Sequence, residues 1–246
     1  MKKNLISIDV STGSYDTVLT EILNLVQNNY SSYICVANVH MLVEAHNSQQ
    51  FANVVNNATI TTPDGMPLVW SMKLLHGLQQ DRIAGMDLLP DLIRESRTKN
   101  IPIYFYGGTE EMLSATQKYI DASFPGAIIA GMHSPPFRPL TDFEEAKVIE
   151  EINSSGARLL FVALGCPKQE KWMASMKGKI HMPMIGIGGA LPVMVGLQTR
   201  APRWAQNAGL EWLYRLTQEP KRLFRRYAIT NTTFIWLLLK AKFANG

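Results

Sequence analysis

The chain has 246 residues, of which 46% are hydrophobic and 18% charged, and its formal net charge is +4. That is enough apolar sequence for a full globular core and excludes an intrinsically disordered chain. Two cysteines exclude a disulfide framework, and the C-terminal apolar run from Phe234 to Leu239 is far too short to span a bilayer.

The N-terminal sequence MKKNLISIDVSTGSYD lacks the apolar segment of a signal peptide. The expectation is a cytosolic protein with Cys35 and Cys166 as buried thiols in a reducing compartment. The charge is unevenly placed. From Arg200 onward nine Lys/Arg stand against two Asp/Glu, whereas the first 199 residues hold fifteen against eighteen. A near-neutral body with a basic tail suits an anionic partner for the tail: lipid headgroups, phosphates or nucleic acid.

Short apolar runs alternate with amphipathic segments. Strands are expected at Tyr33–Asn38, Ala58–Thr62, Ile101–Tyr106, Ala127–Met132, Arg158–Leu164 and Met182–Ile187. Helical periodicity marks Tyr15–Asn28, Met41–Asn57, Pro67–Leu75, Asp87–Lys99, Glu110–Ser123, Asp142–Asn153 and Pro167–Met176. Thr141 with Glu144 forms a capping box for the sixth of these, and Asp87 caps the fourth. Strand–helix alternation with continuously apolar strands implies an α/β fold whose mainly parallel sheet is flanked by helices on both faces. The body is expected to span residues 1–195 and a basic, aromatic appendage residues 196–246, with a last helix over Thr230–Phe243.

Ligands of such sheets bind beyond the C-terminal strand ends. Those ends carry Asn38, Asp64, Gly107-Gly108, Gly165 and Gly186-Ile-Gly188-Gly189. Asp64, in TTPDGMPLVW, suits a helix N-cap, the reading its neighbours favour, or a carboxylate that accepts a proton from a substrate hydroxyl. Asn38 serves turn chemistry or holds a sugar hydroxyl, and His40 beside it reads as structural. Arg82, between a polar loop and a helix, is a surface group or a phosphate ligand. The Gly107-Gly108-Thr109 turn opens a helix and lets backbone approach a phosphate. Gly186-Ile-Gly188 starts like a dinucleotide fingerprint, but Leu191 stands where the third glycine belongs, so NAD is not expected. In ALGCPKQEKW, Gly165 ends a strand and Lys168 and Gln169 lie in the next helical turn. A lysine there opposes the helix dipole, an effect that a bound anion would offset, and Gln169 could touch a nucleotide. No D-x-D pair, His/Cys cluster or P-loop is present, so neither a metal nor another cofactor is implied.

ANVHMLVEA, TPDGMPLVW, DRIAGMDLL, SPPFRPLT, FVALGCPKQEKW and RAPRWAQNAGLEWLYRLTQEPKRLFRRY, in this order and spacing, resemble the WecG/TagA/CpsF glycosyltransferases over nearly the whole chain. The resemblance implies a Rossmann-like fold of the GT-E type with a C-terminal helical membrane-docking appendage. It implies inverting, metal-independent transfer of a sugar from a UDP-sugar to a polyprenyl-diphosphate-linked sugar, in polysaccharide or teichoic acid synthesis. The protein would be peripheral on the inner face of the bacterial cell membrane and able to self-associate through its body. Residue by residue, Asp64 matches the family's catalytic base, and Asn38, Arg82 and Gln169 match substrate-binding positions. Arg215, Arg222 and Arg225 match appendage arginines that close over the site and hold diphosphate.

Two departures concern the sugar pocket. Val36 stands where TagA-like members carry Thr, and Leu191-Pro192 stand where many carry Phe-Asp. The wording of ANVHM and SPPFRPLT is nearer to exopolysaccharide-building, GumM-like members, so glucose competes with N-acetylmannosamine as the donor sugar. On this reading UDP lies over Gly107-Gly108 and the Gly165–Gln169 turn, Asp64 takes the acceptor proton and Arg82, or an appendage arginine, offsets the charge of the departing diphosphate. A non-catalytic UDP-sugar or lipid-diphosphate binding protein is the first alternative, against which the full set of Asp64, Arg82 and Gln169 argues. An RNA-binding protein is the second, and the Phe234–Leu239 run suits a lipid surface better than nucleic acid.

Overall fold

The computed structural model describes residues 1–244; residues 245 and 246, with the side chains of 222 and 244, lie outside the described residues. The role expected of Arg222 therefore falls outside them. In chain order the elements are β1 (Lys2–Leu5), β2 (Ile8–Ser11), α1 (Tyr15–Gln27), β3 (Ser32–Ala37), α2 (Val39–Asn47), α3 (Gln49–Asn56), β4 (Ile60–Pro63) and α4 (Met66–His76). They continue as α5 (Gly85–Thr98), β5 (Ile103–Gly107), α6 (Glu110–Ser123), β6 (Ile129–His133), α7 (Asp142–Ser154), β7 (Leu159–Ala163), α8 (Lys168–Met176) and β8 (Pro183–Gly186). The last are α9 (Ala190–Met194), α10 (Arg203–Asn207), α11 (Glu211–Gln218) and α12 (Pro220–Ala244).

Among the described residues six strands form one sheet in the order β4-β3-β8-β7-β5-β6. β3–β8, β8–β7, β7–β5 and β5–β6 pair in parallel. Every residue of β3 and β5 is buried, so both faces of these strands are covered, as the unbroken apolar runs require. This is the α/β, Rossmann-like arrangement expected. The chain groups into two compact units. The first comprises Met1–Thr17, Val36–Ala84 and Thr199–Gly246; the second comprises Val18–Cys35 and Gly85–Gln198.

In the second unit Phe105 and Phe161 stack across β5 and β7 with ring centroids 5.1 Å apart. On the other face Tyr106 stacks on Trp172 at 4.3 Å, and burial pushes its phenol up to about 12. Thr141 and Glu144 form the capping box that opens α7. A cap of this kind is worth about 1 kcal/mol.

In the first unit the antiparallel β1–β2 hairpin is tied to the segment that joins α3 to β4. Lys2 Nζ donates to the carbonyls of Asn56 and Ala58, at 3.2 and 2.5 Å, and Ser11 Oγ accepts from Thr61 N–H at 3.0 Å. Helix α12 packs against α2 and α4. Its buried residues Leu223, Thr230, Phe234 and Leu237 recur at helical spacing. Each large apolar side chain so covered contributes about 1.5–3 kcal/mol before entropic costs.

Two local expectations are corrected. The segment 41–57 is two helices, because Ser48 leaves the helical conformation (φ −141°, ψ 105°) and its side chain caps α3. Asp87 is not a cap; α5 already begins at Gly85 and Asp87 lies in its first turn. Arg215 and Arg225 stand on separate helices, because α11 ends at Gln218 and Pro220 opens α12.

Candidate functional site

The first unit holds Asn38, Asp64 and Arg82. Asn38 caps α2, its Oδ1 accepting from Met41 N–H at 3.2 Å, so the turn-chemistry reading of its carbonyl holds. Asp64 is not the cap of α4. That place belongs to Gly65 (φ 130°), which no L side chain adopts easily, and no side chain caps the helix. The Asp64 backbone N–H instead donates to Ala37 O at 2.7 Å, and the Ile83 N–H donates to Pro63 O at 3.0 Å. These two bonds tie the ends of β3 and β4 to the segment carrying Arg82.

Arg82 is held by the appendage. Its Nη1 lies 3.4 Å from Glu211 Oε2, and its Nη2 donates to Gln206 Oε1 at 3.2 Å. Arg200 Nη2 donates to the same oxygen at 3.2 Å, and Gln206 Nε2 donates to Ala201 O at 2.6 Å. Gln206 is buried, so one amide organises two guanidinium groups. His40 pairs with Glu44 at 3.8 Å along its own helix, in keeping with a structural role. Arg215 is partly buried on α11, and Arg225 is exposed on α12. Beside it Arg226 lies over the Tyr227 ring, which meets Trp212 edge-on at 5.8 Å.

The second unit holds the glycine turns. Gly107 (φ 109°) is pressed against β7: a Cβ there would lie 2.7 Å from the Ala163 carbonyl. Gly108 N–H donates to that carbonyl at 3.1 Å, and Ser134 Oγ donates to Gly108 O at 2.7 Å. Thr109 caps α6, whose first N–H groups are the anion-favouring end of the helix. Lys168 opens α8 and is exposed, whereas Gln169 is 4% exposed. Gln169 Oε1 accepts from Gly165 N–H at 3.1 Å, and a Cβ on Gly186 or Gly188 would approach its amide to 2.8 or 3.1 Å. Gly165, Gly186 and Gly188 thus meet on one side chain.

Sequence reasoning missed Gln206, Glu211 and Glu170. Glu170 is fully buried and accepts from Gln169 Nε2 at 2.8 Å. Burial pushes its carboxyl up, against hydrogen bonds from Gln169, its own backbone N–H and Cys166 that pull it down. A carboxylate in the first turn of a helix reads as a solvated dipole partner, and nothing in the pattern signals burial. Of the departures from the TagA-like pattern, Val36 is 6% exposed and Leu191 is fully buried, whereas Pro192 is partly exposed.

The profile of the glycosyl transferase WecG/TagA/CpsF family matches residues 3–246. The chain is 30% identical to the N-acetylglucosaminyldiphosphoundecaprenol N-acetyl-beta-D-mannosaminyltransferase of Bacillus spizizenii, over 87% of this chain and 84% of that protein. It is 27% identical to the enzyme of the same name from Staphylococcus aureus strain MW2, over 98% of this chain and 95% of that protein. No helix among the described residues is long and apolar enough to cross a membrane. With the profile matching almost every residue of a doubly covered parallel sheet, the chain belongs to the glycosyl transferase WecG/TagA/CpsF family and is a hexosyltransferase.

Proposed function

We propose that this protein transfers an N-acetylhexosaminyl group, N-acetylmannosaminyl in first place, from a UDP-sugar to a sugar carried on polyprenyl diphosphate. The observation that carries the reading is the near full-length match to two relatives whose names state such a transfer. Glucose is the competing donor, on the wording of ANVHM and SPPFRPLT and on Pro192. The relatives make a β-linked product; starting from an α-linked UDP donor, that is inversion.

The acceptor hydroxyl attacks the anomeric carbon, its proton passes to Asp64, and the bond from that carbon to the diphosphate breaks as the new glycosidic bond forms. UDP departs with the bonding pair. Within the second unit, the helix N-termini that follow Gly107-Gly108 and Gly165, with Lys168, suit a nucleotide diphosphate. Arg82, set by Gln206 and Glu211, and the appendage arginines Arg215 and Arg225 offset charge on the leaving group or on the acceptor's diphosphate. This reading takes fixed cations in place of a metal, so turnover should persist in a chelator. The exposed apolar residues of α12 and the basic residues beside them suit the surface of an anionic membrane that carries the lipid-linked acceptor.

The test is a donor screen by mass spectrometry with a short polyprenyl-diphosphate sugar, run alongside Asp64→Asn. That variant should lose turnover by about a hundredfold or more with UDP affinity nearly intact. Near-normal turnover in it would end the assignment of Asp64 as the base. Transfer of glucose alone would end the N-acetylmannosaminyl reading.

A further inference from the structure

We propose that Glu170 is a positioning residue that locks the Gln169 amide in one orientation and, through it, sets the Gly165 and Gly186–Gly188 turns for the nucleotide. The inference rests on the reading that these turns receive the nucleotide, and it gives Gln169 an indirect role, acting through backbone.

The Gln169 amide has a donor end and an acceptor end, and rotating it by half a turn exchanges them. On one side stands the Gly165 N–H, which requires an acceptor and finds Oε1 at 3.1 Å. On the other stands Glu170 Oε1, which requires a donor and finds Nε2 at 2.8 Å. With both neighbours present only one orientation satisfies both bonds. Without the Glu170 acceptor only the Gly165 N–H holds the amide, so one hydrogen bond instead of two opposes its rotation.

The orientation matters because two turns share this amide. Gln169 N–H also donates to Gly165 O at 2.9 Å, so the Gly165 turn is closed by both backbone and side chain. Gly165 has φ 77° and Gly188 has φ 39°, which glycine adopts freely, so hydrogen bonds and contacts, not a Cβ, select these angles. The backbone at Gly186 and Gly188 rests so close to the amide that a Cβ on either would crowd Nε2 or Oε1. Any rotation of the amide therefore alters what both turns touch.

Mere packing does not account for a carboxyl here. Glu170 is 0% exposed, and a leucine would fill a similar volume without the cost of burying a polar group. What leucine cannot supply is the acceptor. The direction in which burial drives this carboxyl favours its uncharged form, which has the shape of a glutamine side chain and keeps the accepting oxygen.

The experiment compares Glu170→Gln and Glu170→Leu in the full chain. Two quantities are read: hydrogen exchange at the Gly165 amide without nucleotide, and kcat and KM for the UDP-sugar with a lipid-linked acceptor. Glu170→Gln should keep wild-type protection and a KM within about twofold. Glu170→Leu should speed exchange at Gly165 and raise the donor KM, each by about tenfold, with kcat changed much less. If Glu170→Leu does not fold, Glu170→Asp, which draws the acceptor back by one methylene, takes its place with the same expectation.

Wild-type protection at Gly165 in the leucine variant overturns the lock, as does a glutamine variant that loses as much as the leucine one. Altered exchange with an unchanged donor KM overturns the link from the lock to the nucleotide. A wild-type protein that neither binds UDP nor uses UDP-sugars refutes the functional reading instead. That failure is separable, because exchange at Gly165 is measured with no nucleotide present.

Discussion

The Arg82 guanidinium sits 3.4 Å from the Glu211 carboxylate, a partner 129 residues further along the chain. Both side chains are largely shielded from water, so the pair orients Arg82 more firmly than a surface pair would. Glu211→Ala should lower turnover by about tenfold through misorientation of Arg82, without altering binding to vesicles. Arg82→Lys should fall further, because an ammonium cannot engage Gln206 and Glu211 together as a planar fork does. UDP release assayed beside vesicle flotation distinguishes these effects from a fault in membrane docking.

Gly209 closes the turn between α10 and α11 at φ 68°, and a Cβ there would lie 2.7 Å from Trp70 Cη2. Gly209→Ala should therefore add a clash to backbone strain and lower the melting midpoint by several degrees, corresponding to about 1 kcal/mol or more. Gly77 has the same φ of 68°, but a Cβ there would meet nothing within 4 Å, so Gly77→Ala carries the strain alone. Equal losses in the two variants would show that contact with Trp70 is unimportant.

Glu144 is held at about 2 by hydrogen bonds from the Arg138 guanidinium first and the Thr141 backbone second. A carboxylate depressed by folding contributes stability that is present above the ordinary value of 4.5 and fades as the pH falls toward about 2. Arg138→Ala should return the Glu144 titration toward 4.5 in a carboxyl-resolved NMR experiment. The buried Glu170 has the opposite sign. Its raised carboxyl makes the folded state retain a proton that the unfolded chain releases, so it costs stability as the pH rises above the ordinary carboxylate range.

On α12 Phe224, Ile229, Ile235, Trp236, Leu239 and Phe243 are exposed. Replacing Trp236 and Leu239 together by alanine should reduce partition into vesicles of phosphatidylglycerol and phosphatidylcholine by about tenfold or more. Unchanged partition would place the membrane-facing surface elsewhere.

Much of the sheet could be read from the sequence because buried parallel strands have no solvent face to interrupt them. Tyr33 to Ala37 and Ile103 to Tyr106 are apolar throughout for that reason. The span of α6 and the capping box of α7 were equally legible, since Thr109 and Thr141 fix those starts through local hydrogen bonds. The β1–β2 hairpin was not. Its strands are four residues each, and its turn uses Ile6 at φ 64° in place of the usual Asn-Gly. The break at Ser48 was hidden because apolar spacing continues from α2 into α3. At the site, the strand-end residues were visible from their positions alone. The residues that orient them were not, because the burial of Glu170 and the reach of Glu211 to Arg82 exist only after folding.

The grouping of Thr199–Gly246 with Val36–Ala84 changes how a shortened protein should be interpreted. A chain ended at Gln198 would not be the same enzyme without a handle. It would strip the cover that α12 gives α2 and α4, and it would take from Arg82 both of the appendage side chains that hold it. Silence or aggregation in such a protein would report exposed apolar faces and a loosened arginine as readily as a lost hold on lipid. Point changes on the outer side of α12, made in the full-length chain, keep those causes apart.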